Sequence, residues 1–87
     1  MPFMNGIPKI KAVKPLDNMI LMVTFDNNIM KHDDVKKIID KFPVFEELKN
    51  KSIFNLAHVD CGGYGVSWTE EIDLSEYEIW DKGIQIS

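Results

Sequence analysis

The sequence predicts an α+β fold: a small antiparallel sheet of about five strands with one main helix and short extra helices, in the order β-β-β-α-(α)-β-β-(α). Three observations predict it: apolar stretches flank an Asn-Asn pair, apolar residues recur at helical spacing in the next segment, and two β-like stretches flank a Gly-Gly pair. At 87 residues the chain is a single domain, because so short a chain builds only one core. We expect that core over about residues 9–82, with flexible ends at 1–8 and 84–87.

Two strands are predicted early in the chain. KIKAVKPL, residues 9–16, alternates lysine with apolar residues until the phase slips at Val13, which indicates a strand with one solvent face and a bulge. MILMVTFD, residues 19–26, is almost entirely apolar, as is typical of a strand covered on both faces. A small single sheet rarely covers both of its faces, so Ile20 and Met22 are candidates for an interface with a second copy or a small protein partner.

A tight hairpin is predicted next, with Asn27 and Asn28 as a two-residue loop. Asparagine is the non-glycine residue that best tolerates the positive φ of such loops. A loop of this length places His32 opposite Val23, on the same face as Phe25. A histidine there is more often a packed, hydrogen-bonded side chain than a metal ligand.

The main helix is predicted over about residues 34–42, where Asp33 or Asp34 supplies the N-cap and Pro43 ends it. Its apolar residues recur at helical spacing: Val35, Ile38, Ile39 and Phe42. VFEELKN, residues 44–50, predicts a second short helical turn.

Two further strands, LAHVD and YGVSW, are predicted with CGG as the turn between them. A last helix is indicated by the capping-box spacing of Ser75 and Glu78 and by Gly83 at its end. The alternation of Ile84 and Ile86 is weak, and these residues form either an added strand or a flexible tail.

Composition excludes several classes of protein. The single Cys61 rules out an intramolecular disulfide, and one thiol with two histidines cannot supply a four-ligand zinc site from Cys and His alone. No signal peptide is recognisable, and no apolar run approaches the roughly 18 residues that span a bilayer. We expect a cytoplasmic protein with no membrane association, no cofactor and no metal.

Charge argues against direct binding of nucleic acid. The net charge is −4; residues 1–41 carry 7 Lys against 5 Asp, and residues 42–87 carry 3 Lys against 9 Asp and Glu. Arginine, the side chain best suited to bidentate contacts with guanine or phosphate, is absent. The alternative of a regulatory DNA-associated domain would use Lys9, Lys11 and Lys14.

The stretch HVDCGGYGVSW, residues 58–68, contains the residue types of a catalytic site. A nucleophilic Cys61 would need His58 as its base and Asp60 to orient that base. In an extended strand His58 and Asp60 share one face, which would also suit two metal ligands, but Cys61 begins a turn with no helix N-terminus to lower its pKa. A small ligand-binding or catalytic domain using these three residues and Tyr64 is therefore an alternative, and a hairpin turn is favoured.

Tyr64 and Trp68 are spaced so that both point to one face of a strand, together with Val66. They either pack in the core or form an aromatic interface with a partner. No P-loop, Gly-x-Gly-x-x-Gly, Gly-x-Ser-x-Gly or His-Glu-x-x-His motif occurs. We therefore expect no catalytic residues and no enzyme.

Four segments in order, IKAVKPLDNMILMVTFDNN, HDDVKKII, VFEELKNKSIFNLAHVD and GGYGVSWTEEIDL, resemble the domain-of-unknown-function 2442 family of small bacterial proteins over about residues 9–75. The most specific parts run from Val23 to Asp26 and from Phe45 to Leu48, with an ending at Gly65, Trp68, Asp73 and Leu74. The chain departs from the family at Asn28, where a glycine is usual, and at Thr69, where a proline is frequent.

The resemblance implies a small α+β domain with no established activity and no catalytic residues to carry over. Some members are fused to a helix-turn-helix, and others are encoded beside a second small protein and resemble antitoxins. Together with Ile20 and Met22, this predicts a non-enzymatic protein-interaction module, either the antitoxin or an accessory partner of a bacterial two-gene pair, acting as a dimer or in a heterocomplex.

Overall fold

Seven strands form two antiparallel sheets in a computed structural model that describes residues 7–86. The strands are β1 (Ile10–Leu16), β2 (Ile20–Phe25), β3 (Met30–Asp34), β4 (His58–Val59), β5 (Gly65–Thr69), β6 (Ile72–Ser75) and β7 (Ile84–Gln85). One sheet has the order β1-β2-β3-β7 and the other the order β4-β5-β6. The α+β class is confirmed, and the strands divide between two sheets where one was expected.

Short helices connect and cover the sheets. The α-helices are α1 (Lys36–Ile39), α2 (Lys51–Phe54) and α3 (Glu76–Lys82), and 3₁₀ turns occupy Asp17–Met19, Pro43–Lys49 and Cys61–Gly63. Within residues 7–86, no helix is both long enough and apolar enough to cross a membrane.

The core is built from both sheets and from the short helices. Leu21, Val23 and Phe25 on one face of β2 are fully buried and belong to the same cluster as Val66 and Trp68 of β5. Full burial of side chains of this size contributes about 1.5–3 kcal/mol each. The alternating burial along β2 shows that only one face of this strand is covered.

The β2–β3 hairpin has a three-residue loop, so the predicted two-residue loop is wrong. The Phe25 N–H donates to Ile29 O and the Asn28 N–H to Phe25 O, both at 2.9 Å. Asn28 has φ 71°, as in a type I turn followed by a left-handed residue. One extra loop residue moves the register by one, so Lys31 lies opposite Val23 and His32 opposite Met22.

This register reverses the faces of β3. Lys31 and Asp33 lie on the core side and are 9% and 3% exposed, while His32 is half-buried on the opposite side. A shift of one residue moves every side chain of a strand to the other face. The chain thereby buries two ionisable groups and leaves the histidine out of the core.

The main helix is shorter than predicted. In place of a helix over about 34–42, α1 ends at Ile39. Phe42 has the extended φ of −130°, because the ring of Pro43 disfavours helical geometry in the preceding residue. Phe42, expected on the apolar helix face, is therefore 50% exposed.

The C-terminal elements follow the predicted signals. The Ser75 side chain accepts a 3.1 Å hydrogen bond from the Glu78 N–H at the start of α3, and Gly83 follows its last residue. Ile84 and Gln85 then add a strand beside β3, the first of the two alternatives for this segment. Of the ends expected to be flexible, residues 1–6 and 87 lie outside the described residues.

Candidate functional site

The β4–β5 hairpin places the predicted pocket residues in solvent. His58, Asp60 and Cys61 are all exposed. The Asp60 carboxylate accepts a 2.6 Å hydrogen bond from the Cys61 N–H, and His58 Nδ1 lies 2.9 Å from Leu56 O. The hydrogen bonds of both side chains therefore go to neighbouring backbone rather than to the thiol.

The turn itself is built by the two glycines. Gly62 and Gly63 have φ 84° and 78°, a conformation that residues with a Cβ rarely adopt. The Tyr64 ring lies against Gly62, where a Cβ would come within 2.8 Å of it. Tyr64 is 57% exposed, and Lys9 Nζ lies 4.3 Å from its ring centre.

Trp68 belongs to the core rather than to the surface. It is 3% exposed and makes an edge-to-face contact with Phe45 at 6.0 Å between ring centres. Its indole N–H donates to Phe54 O at 3.1 Å. Of the two alternatives for the aromatic pair, core packing therefore applies to Trp68, and only Tyr64 is accessible to a partner.

The solvent side of the four-stranded sheet carries the other two predicted interface residues. Ile20 and Met22 are half-buried on this side of β2, where the register pairs Ile20 with Leu16 and Met22 with His32. His32 in turn pairs with Ile84 of β7, which is 64% exposed. We define the outer face as Leu16, Ile20, Met22, Met30, His32 and Ile84.

The outer face is a largely apolar patch, although Lys14, Thr24 and Asp34 lie on the same side of the sheet. The exposed side of an antiparallel sheet normally carries polar residues, and contiguous apolar patches mark interaction sites. A hollow of about 540 Å³ lies at one end of this face, lined by Leu16, Ile20, His32 and Ile84, among others.

A second concave feature lies where β3 runs beyond the end of β7. This α1–α3 cleft has a volume of about 310 Å³. Its charged side chains come from β3, from α1 and the turn after it, and from α3: Asp33, Asp34, Lys37, Lys41, Glu78 and Lys82. Glu78 and Lys82 are distant in the chain from the other four residues, so no local sequence pattern predicts the cleft.

Asp33 is the unusual group of the cleft. Its Oδ2 is shielded from solvent and has no hydrogen-bond partner in the described part of the chain. Burial raises the pKa of this carboxyl from 3.8 to about 6, with further increases from the charges of Glu78 and Asp34 and an opposing effect of Lys37. The burial of Asp33 could be predicted only from the correct length of the β2–β3 loop, because that length sets the register that places Asp33 on the core side of β3.

Lys31, two residues earlier, is also buried, but its ammonium group has two contacts with Trp80. Its ammonium donates to Trp80 O and lies 4.1 Å from the centre of the Trp80 ring, an arrangement that stabilises a buried cation. Among residues 7–86, no three His, Cys, Asp or Glu side chains are grouped so as to hold a metal ion.

Comparison with known proteins places these features in one family. The family model described as "Protein of unknown function (DUF2442)" matches residues 10–85, from the first residue of β1 to the last of β7. Neither the curated proteins nor the solved structures gave a match. The matched region contains both sheets, the outer face and the α1–α3 cleft, and the chain therefore belongs to the DUF2442 family.

Proposed function

We propose that this protein is a non-enzymatic protein-interaction module whose outer face docks a second copy of the chain. The observation that carries this is the row of apolar side chains on the uncovered side of β2 and its neighbours, with Ile20 and Met22 at its centre. A second sheet that covers these side chains would remove apolar surface from water, and this burial stabilises the complex by about 25 cal/mol per Å².

Charge at the margins of the outer face supports a second copy as the occupant. Lys14 lies on the β1 side, paired across the sheet with Met22, and Asp34 lies on the β3 side, paired with Ile20. In a two-fold symmetric contact whose axis runs along β2, the β1 side of one copy faces the β3 side of the other. The side of each copy that carries Lys14 then lies over the side of the second copy that carries Asp34, so the two margins of the face have complementary charges.

The non-enzymatic part of the proposal draws on the β4–β5 hairpin. There the exposed His58 and Asp60 bond to local backbone and Cys61 is free in solvent. A nucleophile needs its base within hydrogen-bond reach and a third group to orient that base. These contacts favour a turn over a catalytic triad.

Sedimentation equilibrium over a range of protein concentrations tests the docking face. Ile84→Lys places a charge on the outer face, and Leu56→Lys is its matched control, because Leu56 is 54% exposed but lies away from the outer face. We expect the wild type and the control to dimerise and Ile84→Lys to remain monomeric. A wild type that stays monomeric throughout, or an Ile84→Lys variant that dimerises like the control, would contradict the proposal.

An antitoxin or accessory role within a two-gene pair is the finer form of this proposal, as is a cytoplasmic location. Co-expression with the product of the adjacent gene, followed by purification on a tag carried by this chain, tests the first. Retention of the neighbour by the wild type and by Leu56→Lys, with loss in Met22→Lys, would mean that the neighbour replaces the second copy on the outer face. Absence of the neighbour from all three samples argues against it.

A further inference from the structure

The α1–α3 cleft separates its charges by depth. Asp33, at 3% exposure, and the half-buried Glu78 lie towards its floor. Lys37 on α1, Lys41 just after the end of α1 and Lys82 on α3 line the cleft as exposed side chains. The cleft therefore has an acidic floor and a basic rim.

One carboxylate oxygen at the floor of the cleft has no hydrogen-bond donor. Asp33 lines the cleft, and its Oδ2 is shielded from solvent and has no hydrogen-bond partner in the described residues, whereas nearly all buried polar atoms in proteins have one. A ligand cation therefore reaches this oxygen only when the side chains over it move aside on binding. Lys37 is near enough to oppose the rise in the pKa of Asp33, but no hydrogen bond joins it to that oxygen. A buried carboxylate held without a partner beside a cleft is a frequent feature of binding sites.

We propose that the α1–α3 cleft binds a small zwitterion, with its ammonium or guanidinium group against Asp33 and Glu78 and its anionic group among the rim lysines. This ligand class includes free amino acids and short ω-amino acids. A volume of about 310 Å³ is at the small end of ligand pockets, which run from about 300 to 1,000 Å³. The inference does not rest on docking at the outer face, although His32 and Ile84 line the cleft and also belong to that face.

Ligands with one charge match the cleft less well. A simple anion satisfied by Lys37 or Lys41 would face the carboxylates of the floor, and a simple cation would have to pass the lysines of the rim. Charges of like sign brought together in this way disfavour binding. Only a ligand that carries both charges, with its cationic group at the acidic floor and its anionic group at the basic rim, makes favourable contacts with both parts of the cleft.

Amide chemical shifts followed by two-dimensional NMR test this directly. The probes are 4-aminobutyrate and 4-guanidinobutyrate as zwitterions, putrescine as the cation alone, and acetate as the anion alone. We expect saturable shifts in β3, α1 and α3 with at least one zwitterion, and at least tenfold weaker binding of putrescine and acetate. Absence of saturation with both zwitterions, or equal binding of either single-charge probe, would overturn the proposal.

Variants assign the binding to the two walls. Asp33→Asn keeps the side-chain shape and removes the charge, and we expect it to weaken the zwitterion at least tenfold. Lys41→Gln should weaken the zwitterion while leaving putrescine unaffected or slightly tighter. Asp26→Asn is the matched control, because Asp26 belongs to the same hairpin but is exposed and outside the cleft. Equal affinity in Asp33→Asn and Asp26→Asn would exclude Asp33 as the anchor.

Discussion

The two hairpins of this domain make opposite use of their polar residues. The β4–β5 hairpin carries the histidine, aspartate and cysteine that suggest a catalytic site, and all three lie in solvent. The β2–β3 hairpin contains no such motif, yet it buries Lys31 and Asp33. The first hairpin has the residue types of a catalytic site without the geometry, whereas the strand register of the second hairpin places Asp33 in the candidate site.

The two buried ionisable groups of β3 differ in whether the fold supplies them with polar partners. The Lys31 ammonium has both a carbonyl and an aromatic face from Trp80. Asp33 has an oxygen without a partner and a pKa raised chiefly by burial. Lys31 therefore has the contacts of a structural residue, whereas Asp33 has an unpartnered oxygen, which is why we propose it as the anchor of a ligand.

The largest effect is expected in the β4–β5 hairpin, from Trp68 rather than from Cys61. Trp68→Ala removes a core side chain and its bond to Phe54 O, and should lower the free energy of unfolding by about 3–5 kcal/mol. Cys61→Ser, at an exposed position, should change it by less than about 0.5 kcal/mol. Urea unfolding followed by tryptophan fluorescence of Trp80 and by circular dichroism measures both. Comparable losses in the two variants would mean that the thiol has a structural contact.

The second effect concerns Asp33 and depends on pH. Because its folded pKa of about 6 exceeds the 3.8 of the unfolded chain, unfolding releases a proton between these values, and stability falls as pH rises from about 4 to 6. The decrease is complete above pH 6 and amounts to about 2–3 kcal/mol. Asp33→Asn should abolish it and be more stable than the wild type at neutral pH by about 1–3 kcal/mol.

Urea unfolding at a series of pH values checks this, with Asp26→Asn as the control that keeps the pH dependence. An Asp33→Asn variant that remains less stable than the wild type at neutral pH would show that the carboxylate has a stabilising partner. Greater stability combined with lost zwitterion binding would instead show a site held at a cost to the fold.

Local signals predicted much of the fold. The bulge in β1, the turn at Gly62 and Gly63, and the cap formed by Ser75 on Glu78 all follow from neighbouring residues, and each is present. They depend on chemistry within a few positions, which the sequence displays directly.

The faces of β3 and the α1–α3 cleft could not be predicted from local patterns, because they depend on strand register and on contacts between distant segments. One additional loop residue between Phe25 and Ile29 changed the face of every residue in β3. The α1–α3 cleft then needed Asp33, Lys37 and Glu78 to converge from three elements, and no local pattern states that convergence. Ile20 and Met22 were predictable as uncovered residues because β2 is apolar on both sides, whereas their neighbours on the outer face follow from register.

The smallest effect tests the register itself, through Asn28. Its positive φ of 71° holds the three-residue loop, and asparagine tolerates this region better than other residues with a Cβ. Asn28→Ala should therefore lower the free energy of unfolding by about 1 kcal/mol. Asn28→Gly should change it by less than about 0.5 kcal/mol, since easier access to positive φ offsets the greater entropy of the unfolded chain. Urea unfolding measures both, and cross-strand NOEs between Val23 and Lys31 report the register. If Asn28→Ala were neutral and shifted the pairing to Val23 with His32, the three-residue loop would depend on this one side chain, and both the burial of Asp33 and the cleft would be lost with it.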